Sequence, residues 1–300
     1  MTVKICFQMI VYNSDYVLAE SLRSILEFGP LVVTEGPCGY WADHGGYTSS
    51  DNTNDILEAH KDYGHGIIGI VRGQFTGKDE MVNASAHLIP DDTTHVFVVD
   101  SDEVWRNKDM QLVLSLINEW DLDSMGFAAD SFFGGFDHTL TGFERNFEVI
   151  RVQRWHPGAS WATHRPPTVV NAFGKPYAQC RHMNHLETLR RGISMPHYSY
   201  TFPRQAYDKH IYYSSYSPGI TIPNYPYEVF LPWVMGDKEK REDIELKYKG
   251  VHNFIPSYRG ACYTERFNGK HPEQILVSMD SLKERFAKEL GWLKSKSPLA

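Results

Sequence analysis

The sequence predicts an α/β protein: a mostly parallel sheet covered by helices. Three observations carry this reading. Residues 3–11, 31–34, 67–71 and 95–99 are short, nearly continuous apolar runs, as expected for strands buried on both faces. Segments of helical spacing separate them. The connections are short, and the right-handed crossover rule then stacks such β-α-β units into a parallel sheet.

Taken in order, the run at 3–11 is the first strand. Asn13-Ser14-Asp15 follows with N-cap chemistry. Residues 16–28 carry Leu18, Leu22, Ile25 and Leu26 at helical spacing, and Gly29-Pro30 ends the helix. After the strand at 31–34 comes a long loop, 36–50, rich in Gly, Ser and Tyr. Ser50-Asp51 caps a helix through Ile56 and Leu57. The strand at 67–71 leads to a helix over 77–89. Pro90-Asp91-Asp92 turns the chain into the strand at 95–99, and a helix over 110–120 continues the alternation. Beyond about residue 125 strand and loop signals mix, predicting an α+β half that completes the sheet and shapes a pocket. Residues 238–249 read as a charged, solvated stretch. Residues 278–293 read as an amphipathic helix, with Leu282, Phe286, Leu290 and Leu293 on one side. The expected organisation is one continuous domain, with a first half over 1–124 and a second over 125–300.

Composition excludes several classes. With 42% hydrophobic and 13% aromatic residues the chain can bury a sizeable core and is not disordered. No apolar run approaches the roughly 20 residues of a membrane helix, and the first residues lack the pattern of a signal peptide. Cys6, Cys38, Cys180 and Cys262 lie far apart with no CxxC pair. Reduced thiols in a cytoplasm fit that spacing best. A net charge of -7 argues against duplex nucleic acid as the main partner.

Several motifs carry little. Gly64-His-Gly-Ile-Ile-Gly69 has the letters of a dinucleotide fingerprint, but its glycines precede and enter a strand instead of opening a helix. Gly73 to Lys78 is one residue short of a P-loop. Cys180, His182 and His185 lack a fourth zinc ligand. Asn83-Ala-Ser85 is a formal glycosylation sequon that stays unmodified without a secretory route. Asp121-Leu122-Asp123 reads as a helix-to-strand turn.

Asp100-Ser101-Asp102 differs because of its place. It follows a fully apolar strand, where open α/β sheets put their ligands. Two aspartates at i and i+2 there can converge on one hard cation, magnesium or manganese. Such an ion suits a diphosphate, whose leaving-group charge it neutralises.

The order of these pieces resembles a family 2-type nucleotide-sugar glycosyltransferase of the GT-A fold, and more narrowly its bacterial and phage members with a DSDE-type motif. Ile10-Val-Tyr-Asn13 is similar to the family's opening strand. Val33-Thr-Glu-Gly36 with Ser50-Asp-Asn-Thr53 is similar to its split acidic pattern, here with a long insertion between and Asn52 where Gly is usual. Gly77-Lys-Asp-Glu-Met-Val-Asn83 resembles the helix before the metal motif, and Val99-Asp-Ser-Asp-Glu103 the motif itself. Arg151-Val-Gln-Arg154 with Pro157-Gly158 and His164, then Pro196-His-Tyr-Ser-Tyr200, then Phe267-Asn-Gly-Lys-His-Pro272, resemble later blocks in the same order.

The resemblance implies a metal-dependent transferase that uses Mn2+ or Mg2+ and a nucleotide-diphosphate sugar, UDP-linked by family habit. Its acceptor would be a glycan, lipid, peptide or modified nucleic acid. Asp100, Asp102 and His197 would hold the metal, with Asp102 the more direct ligand. Glu35, Asp51, Lys78, Asn83, Asp100 and Ser101 would bind the nucleotide sugar. Asp130, ending the apolar segment 125–129, would be the general base, with Asp137 and Glu144 as alternatives. His271 would be a turn residue. Two other readings stay open at this point: a nucleotide-sugar-binding protein without turnover, and a nucleotidyltransferase.

Overall fold

The structure, a computed structural model, describes residues 3–176 and 180–297. The chain groups into two compact units, each drawn from two stretches: 1–128 with 148–195, and 129–147 with 196–300. The sequence predicts one continuous domain whose halves meet after residue 124; in the structure the chain leaves the first unit near 128, returns to it for 148–195, and leaves again.

In the first unit, in chain order, β1 (Ile5–Val11), α1 (Leu18–Ile25), β2 (Leu31–Glu35), α2 (Tyr40–His44), α3 (Thr53–Ala59), β3 (Ile67–Arg72), α4 (Lys78–Ala84), β4 (His95–Val98), α5 (Asn107–Trp120) and β5 (Ser124–Phe127) deliver the expected alternation. β1 pairs in parallel with β2 and with β4, and β2 with β3. β1, β2 and β4 form the buried heart of this parallel block, whereas β3, expected to be buried on both faces, is an edge strand with Ile68 exposed. Cys6, Val32, Val96 and Val98 pack with Val82, Trp155 and Trp161. Phe7, Phe97, Trp105 and Phe127 form an aromatic cluster, with Trp105 edge-on to Phe97 and Phe127 at 5.0 Å each.

The second unit takes up β6 (Ala129–Phe133), β7 (His138–Leu140) and α6 (Phe143–Asn146). The chain then returns to the first unit with β8 (Val149–Arg154), β9 (Ser160–Thr163), β10 (Thr168–Val170), β11 (His182–Met183) and α7 (His185–Arg190). β8 runs antiparallel between β4 and β5, and β11 closes the far edge. The resulting order is β11-β5-β8-β4-β1-β2-β3. Segments beyond residue 125 thus complete the sheet, as expected. The protein is mixed α/β with a large, mostly parallel, helix-flanked sheet.

The rest is β12 (Met195–Tyr200), α8 (Pro203–Tyr216), a π-helical turn at Pro226–Phe230, α9 (Leu231–Met235), α10 (Lys238–Tyr248), α11 (Pro256–Arg259), β13 (Thr264–Arg266) and α12 (Glu273–Ser295). The sheet β12-β6-β7-β13 and these helices surround their own core, built on Phe133, Tyr225, Phe230, Trp233, Ile244 and Leu293.

Local chemistry differs from expectation in three places. Asn13, Ser14 and Asp15 do not cap α1, which begins at Leu18 with Val17 at its N-cap; they bond to the loop at 49–53 instead. The stretch at 238–249 is a helix, α10, capped by Asp237, whose Oδ1 accepts from the Lys240 amide, and closed by Lys249 in a left-handed conformation. α12 starts at Glu273, one turn before the expected start, directly after Pro272. Among the described residues no helix is long and apolar enough to cross a membrane.

Candidate active site

β1, β2, β3 and β4 all end at the same edge of the first unit's sheet, at Val11, Glu35, Arg72 and Val98. Strand order reverses between β1 and β4, and that switch point is where open α/β sheets form a crevice. The loops after β1 and β4 meet there: Ser14 Oγ and Ser101 Oγ share a hydrogen bond at 2.5 Å.

The loop after β1 is fastened by its neighbours. Asn13 is left-handed, and its Oδ1 accepts from the Ser50 amide at 2.7 Å. Asp51 Oδ2 accepts from the Asp15 amide at 3.1 Å, and its Oδ1 from the Thr53 amide at 3.0 Å. Burial pushes Asp51 up, against the opposing Thr53 hydrogen bonds, and the Asp15 carboxylate adds to the rise. Asp51 therefore shapes the edge through backbone contacts.

Asp100 follows β4 at the start of the next loop. Its Oδ2 accepts from Arg151 Nη2 at 2.6 Å and from Arg165 Nη2 at 3.0 Å. Arg151 comes from β8, is buried, and also pairs with the buried Glu103. His164, one residue before Arg165, is buried, and its amide donates to Asp79 Oδ1 at 2.6 Å. Burial alone would raise the Asp100 carboxyl. The charges of Arg151, Arg165, His164 and Lys78 outweigh it and hold the group well below the usual carboxylate range. His164 itself is pushed down to about 3 by burial.

Asp100 and Asp102 offer carboxylate oxygens within 4.8 Å of one another. Asp100 Oδ1 receives no hydrogen bond from the described residues, so one oxygen stays available while Oδ2 is paired. Two carboxylates at this separation fit a hard divalent cation.

Several expected contacts are used otherwise. Glu35 has no exposed surface; its Oε1 accepts from the Ser49 amide at 2.7 Å, and Arg72 Nε lies 3.8 Å from Oε2. It secures the long loop and is closed to a nucleobase edge. Asn83 spends both faces of its amide on backbone: Nδ2 donates to Asp79 O and Trp161 O, and Oδ1 accepts from the Trp161 amide at 2.9 Å. It joins α4 to β9. Lys78 opens α4 and contributes positive charge toward Asp100. Asp121 and Asp123 sit in the α5-to-β5 turn and pair with Arg154 and Arg181, as the turn reading expects.

In the second unit, Asp130 lies on β6, buried and paired with Arg145. Glu144 pairs with Arg259 and accepts from Ser131 Oγ at 3.2 Å. Burial pushes Glu144 up, but His252 and the Arg259 guanidinium bring it down to about 2, which makes it a poor proton acceptor. His197 stands half-buried on β12. His271 is more than a turn residue: Tyr198 Oη lies 2.9 Å from its Nδ1, and its Nε2 is 3.0 Å from Phe136 O. A carbonyl only accepts, so Nε2 carries the proton and Nδ1 takes the tyrosine hydrogen bond.

Sequence reasoning passed over Arg165 and the Ser14–Ser101 contact. Arg165 stood next to a quoted histidine, but its partner Asp100 lies 65 positions away.

No protein-family model and no curated protein matches the chain. Among solved structures it is similar to S. aureus TarS 1–349, at 19% identity over 43% of this chain and 36% of that one, with a TM-score of 0.33. The same fragment in complex with UDP-GlcNAc matches at 18% identity over 43% and 35%, with a TM-score of 0.34. The chain thus spans about a third of those proteins, and an overlap this small assigns neither activity nor substrate.

Proposed function

We propose that this protein is a metal-dependent glycosyltransferase that moves a sugar from a nucleotide-diphosphate donor, UDP-linked by the resemblance, to an acceptor nucleophile. One observation carries the reading: the paired carboxylates Asp100 and Asp102 at the carboxyl end of β4, beside the β1/β4 switch point, with Arg151, Arg165 and Lys78 supplying positive charge around Asp100.

In this reading Asp100 and Asp102 are protein ligands of a divalent cation, and the resemblance adds His197 as the third. Carboxylates suit magnesium and manganese alike, and an added imidazole favours manganese. When bound, the cation supplies neutralisation of the departing diphosphate. Arg151 keeps Asp100 ionised and in place through its second pair with Glu103. Ser101, tied to Ser14, and Asp51, tied to the Asp15 amide, set the edge on which the nucleoside rests. Lys78 adds positive charge for the diphosphate. Asp130, oriented by Arg145, is the assigned proton acceptor for the acceptor nucleophile, since Glu144 is too acidic for that work.

The test is nucleotide-linked stability. UDP with Mn2+ raises the melting temperature of the wild type, and chelator removes the rise. Asp102→Asn keeps the unliganded melting temperature and loses the metal-dependent rise. An undiminished rise in that variant removes Asp102 from the cation site and sinks the reading. Binding without turnover on any donor would instead support the non-catalytic alternative.

A further inference from the structure

The two arginines on Asp100 Oδ2 are not equivalent. Arg151 has a side chain 3% exposed and is pinned between Asp100 and Glu103. Arg165 has a side chain 57% exposed, and Asp100 Oδ2 is its hydrogen-bond acceptor among the described residues. One arginine is built into the fold. The other is largely open to solvent.

A divalent cation on Asp100 would stand next to that exposed guanidinium. The two repel, and the two negative charges of Asp100 and Asp102 cannot neutralise both the divalent cation and the guanidinium. A donor brings the missing charge, because a diphosphate presents oxygens that a guanidinium grips in bidentate fashion. We infer that Arg165 is an exchangeable counter-ion: it neutralises Asp100 when no donor is bound, and passes to the donor diphosphate when cation and nucleotide arrive. Cation binding and nucleotide binding then reinforce each other, and by linkage each strengthens the other equally. Arg165 is a positioning residue in this scheme. The inference rests on the cation reading of Asp100 and Asp102.

The experiment measures Mn2+ affinity by electron paramagnetic resonance of the free ion, with and without UDP. It uses the wild type, Arg165→Gln and Arg165→Lys. The wild type should bind Mn2+ weakly alone and about tenfold tighter with UDP, within the usual range of coupling between sites. Arg165→Gln should bind Mn2+ alone more tightly than the wild type and lose most of the UDP effect. Arg165→Lys, which keeps the charge, should stay near the wild type and shows that position 165 tolerates substitution. Equal Mn2+ affinity in wild type and Arg165→Gln, with the UDP effect intact in both, overturns the inference and leaves the functional reading standing. So does a wild type that binds Mn2+ equally with and without UDP. A wild type that binds no Mn2+ even with UDP overturns both.

Discussion

Single residues in this protein are set by partners far along the chain. Glu144 and His252 show the consequence for stability. Glu144 is brought down to about 2 despite burial, so its ionised form stabilises the fold above its ordinary pKa of 4.5, and that contribution is lost as pH falls toward 2. His252 is pushed down to about 3, by burial first and then by Arg259. It stays neutral in the fold while the unfolded chain protonates it near its ordinary 6.5, so stability declines as pH drops from 6.5 toward 3. His164 acts in the same direction. The melting temperature should therefore fall progressively below pH 6.5. His252→Gln should flatten the limb between 6.5 and 4.5, and Glu144→Gln the limb below 4.5. Variant profiles parallel to the wild type would contradict these assignments. Asn83→Ala should lower stability by about 1–3 kcal/mol, because it strands the Trp161 amide and carbonyl. Its metal-dependent UDP affinity, read by calorimetry, should be unchanged; a marked loss would return Asn83 to the nucleotide site.

The legibility of residues follows the same distances. Asp100 and Asp102 could be picked out because both stand within one short motif at the end of an apolar strand. Glu35 and Asn83 looked similar by motif position. Their occupation by the Ser49 amide and by Trp161 is decided by segments 14 and 78 positions away. Arg165 had no signal of its own, since an arginine before a proline in a polar loop reads as solvated.

At the scale of elements, the parallel block was readable because β1, β2 and β4 are apolar on both faces, and only buried strands read that way. The antiparallel course of β8 was not readable. Val149–Arg154 has the composition of a strand, but direction is fixed by tertiary pairing with β4 and β5. α10 escaped because its residues are polar nearly all round, with Ile244 its one buried side chain. Its caps at Asp237 and Lys249 carry the helix signal. The join between β2 and its loop depends on Gly36. Its φ is +147°, and an added Cβ would stand 1.8 Å from the Gly73 carbonyl oxygen. Gly36→Ala should cost about 1–3 kcal/mol for the backbone conformation alone, with the clash added. Denaturant unfolding measures it, and a neutral result would mean that the Gly36 and Gly73 backbones separate without penalty.

At the scale of the whole molecule, two compact units share one chain that crosses between them three times, after 128, 147 and 195. No linker marks these crossings. Ala128 is the single residue between β5, ending at Phe127, and β6, opening at Ala129, and Met195 bonds its amide to the Ala128 carbonyl at 3.0 Å. A boundary inside continuous strand-like sequence leaves no compositional trace, whereas a Gly, Pro or Ser-rich linker would have. The order of motifs along the chain was nonetheless informative. Within the first unit, two of the segments it singled out, 99–103 and 151–164, lie together, with Asp100 Oδ2 accepting from Arg151 Nη2.

The central claim is transfer from a nucleotide-diphosphate sugar with help from a divalent cation at Asp100 and Asp102. The most direct measurement is nucleoside diphosphate release from a panel of nucleotide sugars, with Mn2+, with Mg2+ and with chelator, for the wild type and Asp102→Asn. Slow hydrolysis of one donor by the wild type, abolished by chelator and lost in Asp102→Asn, is the predicted result. Release that survives chelator or persists in Asp102→Asn would contradict the account, and release of inorganic diphosphate would identify a nucleotidyltransferase in its place.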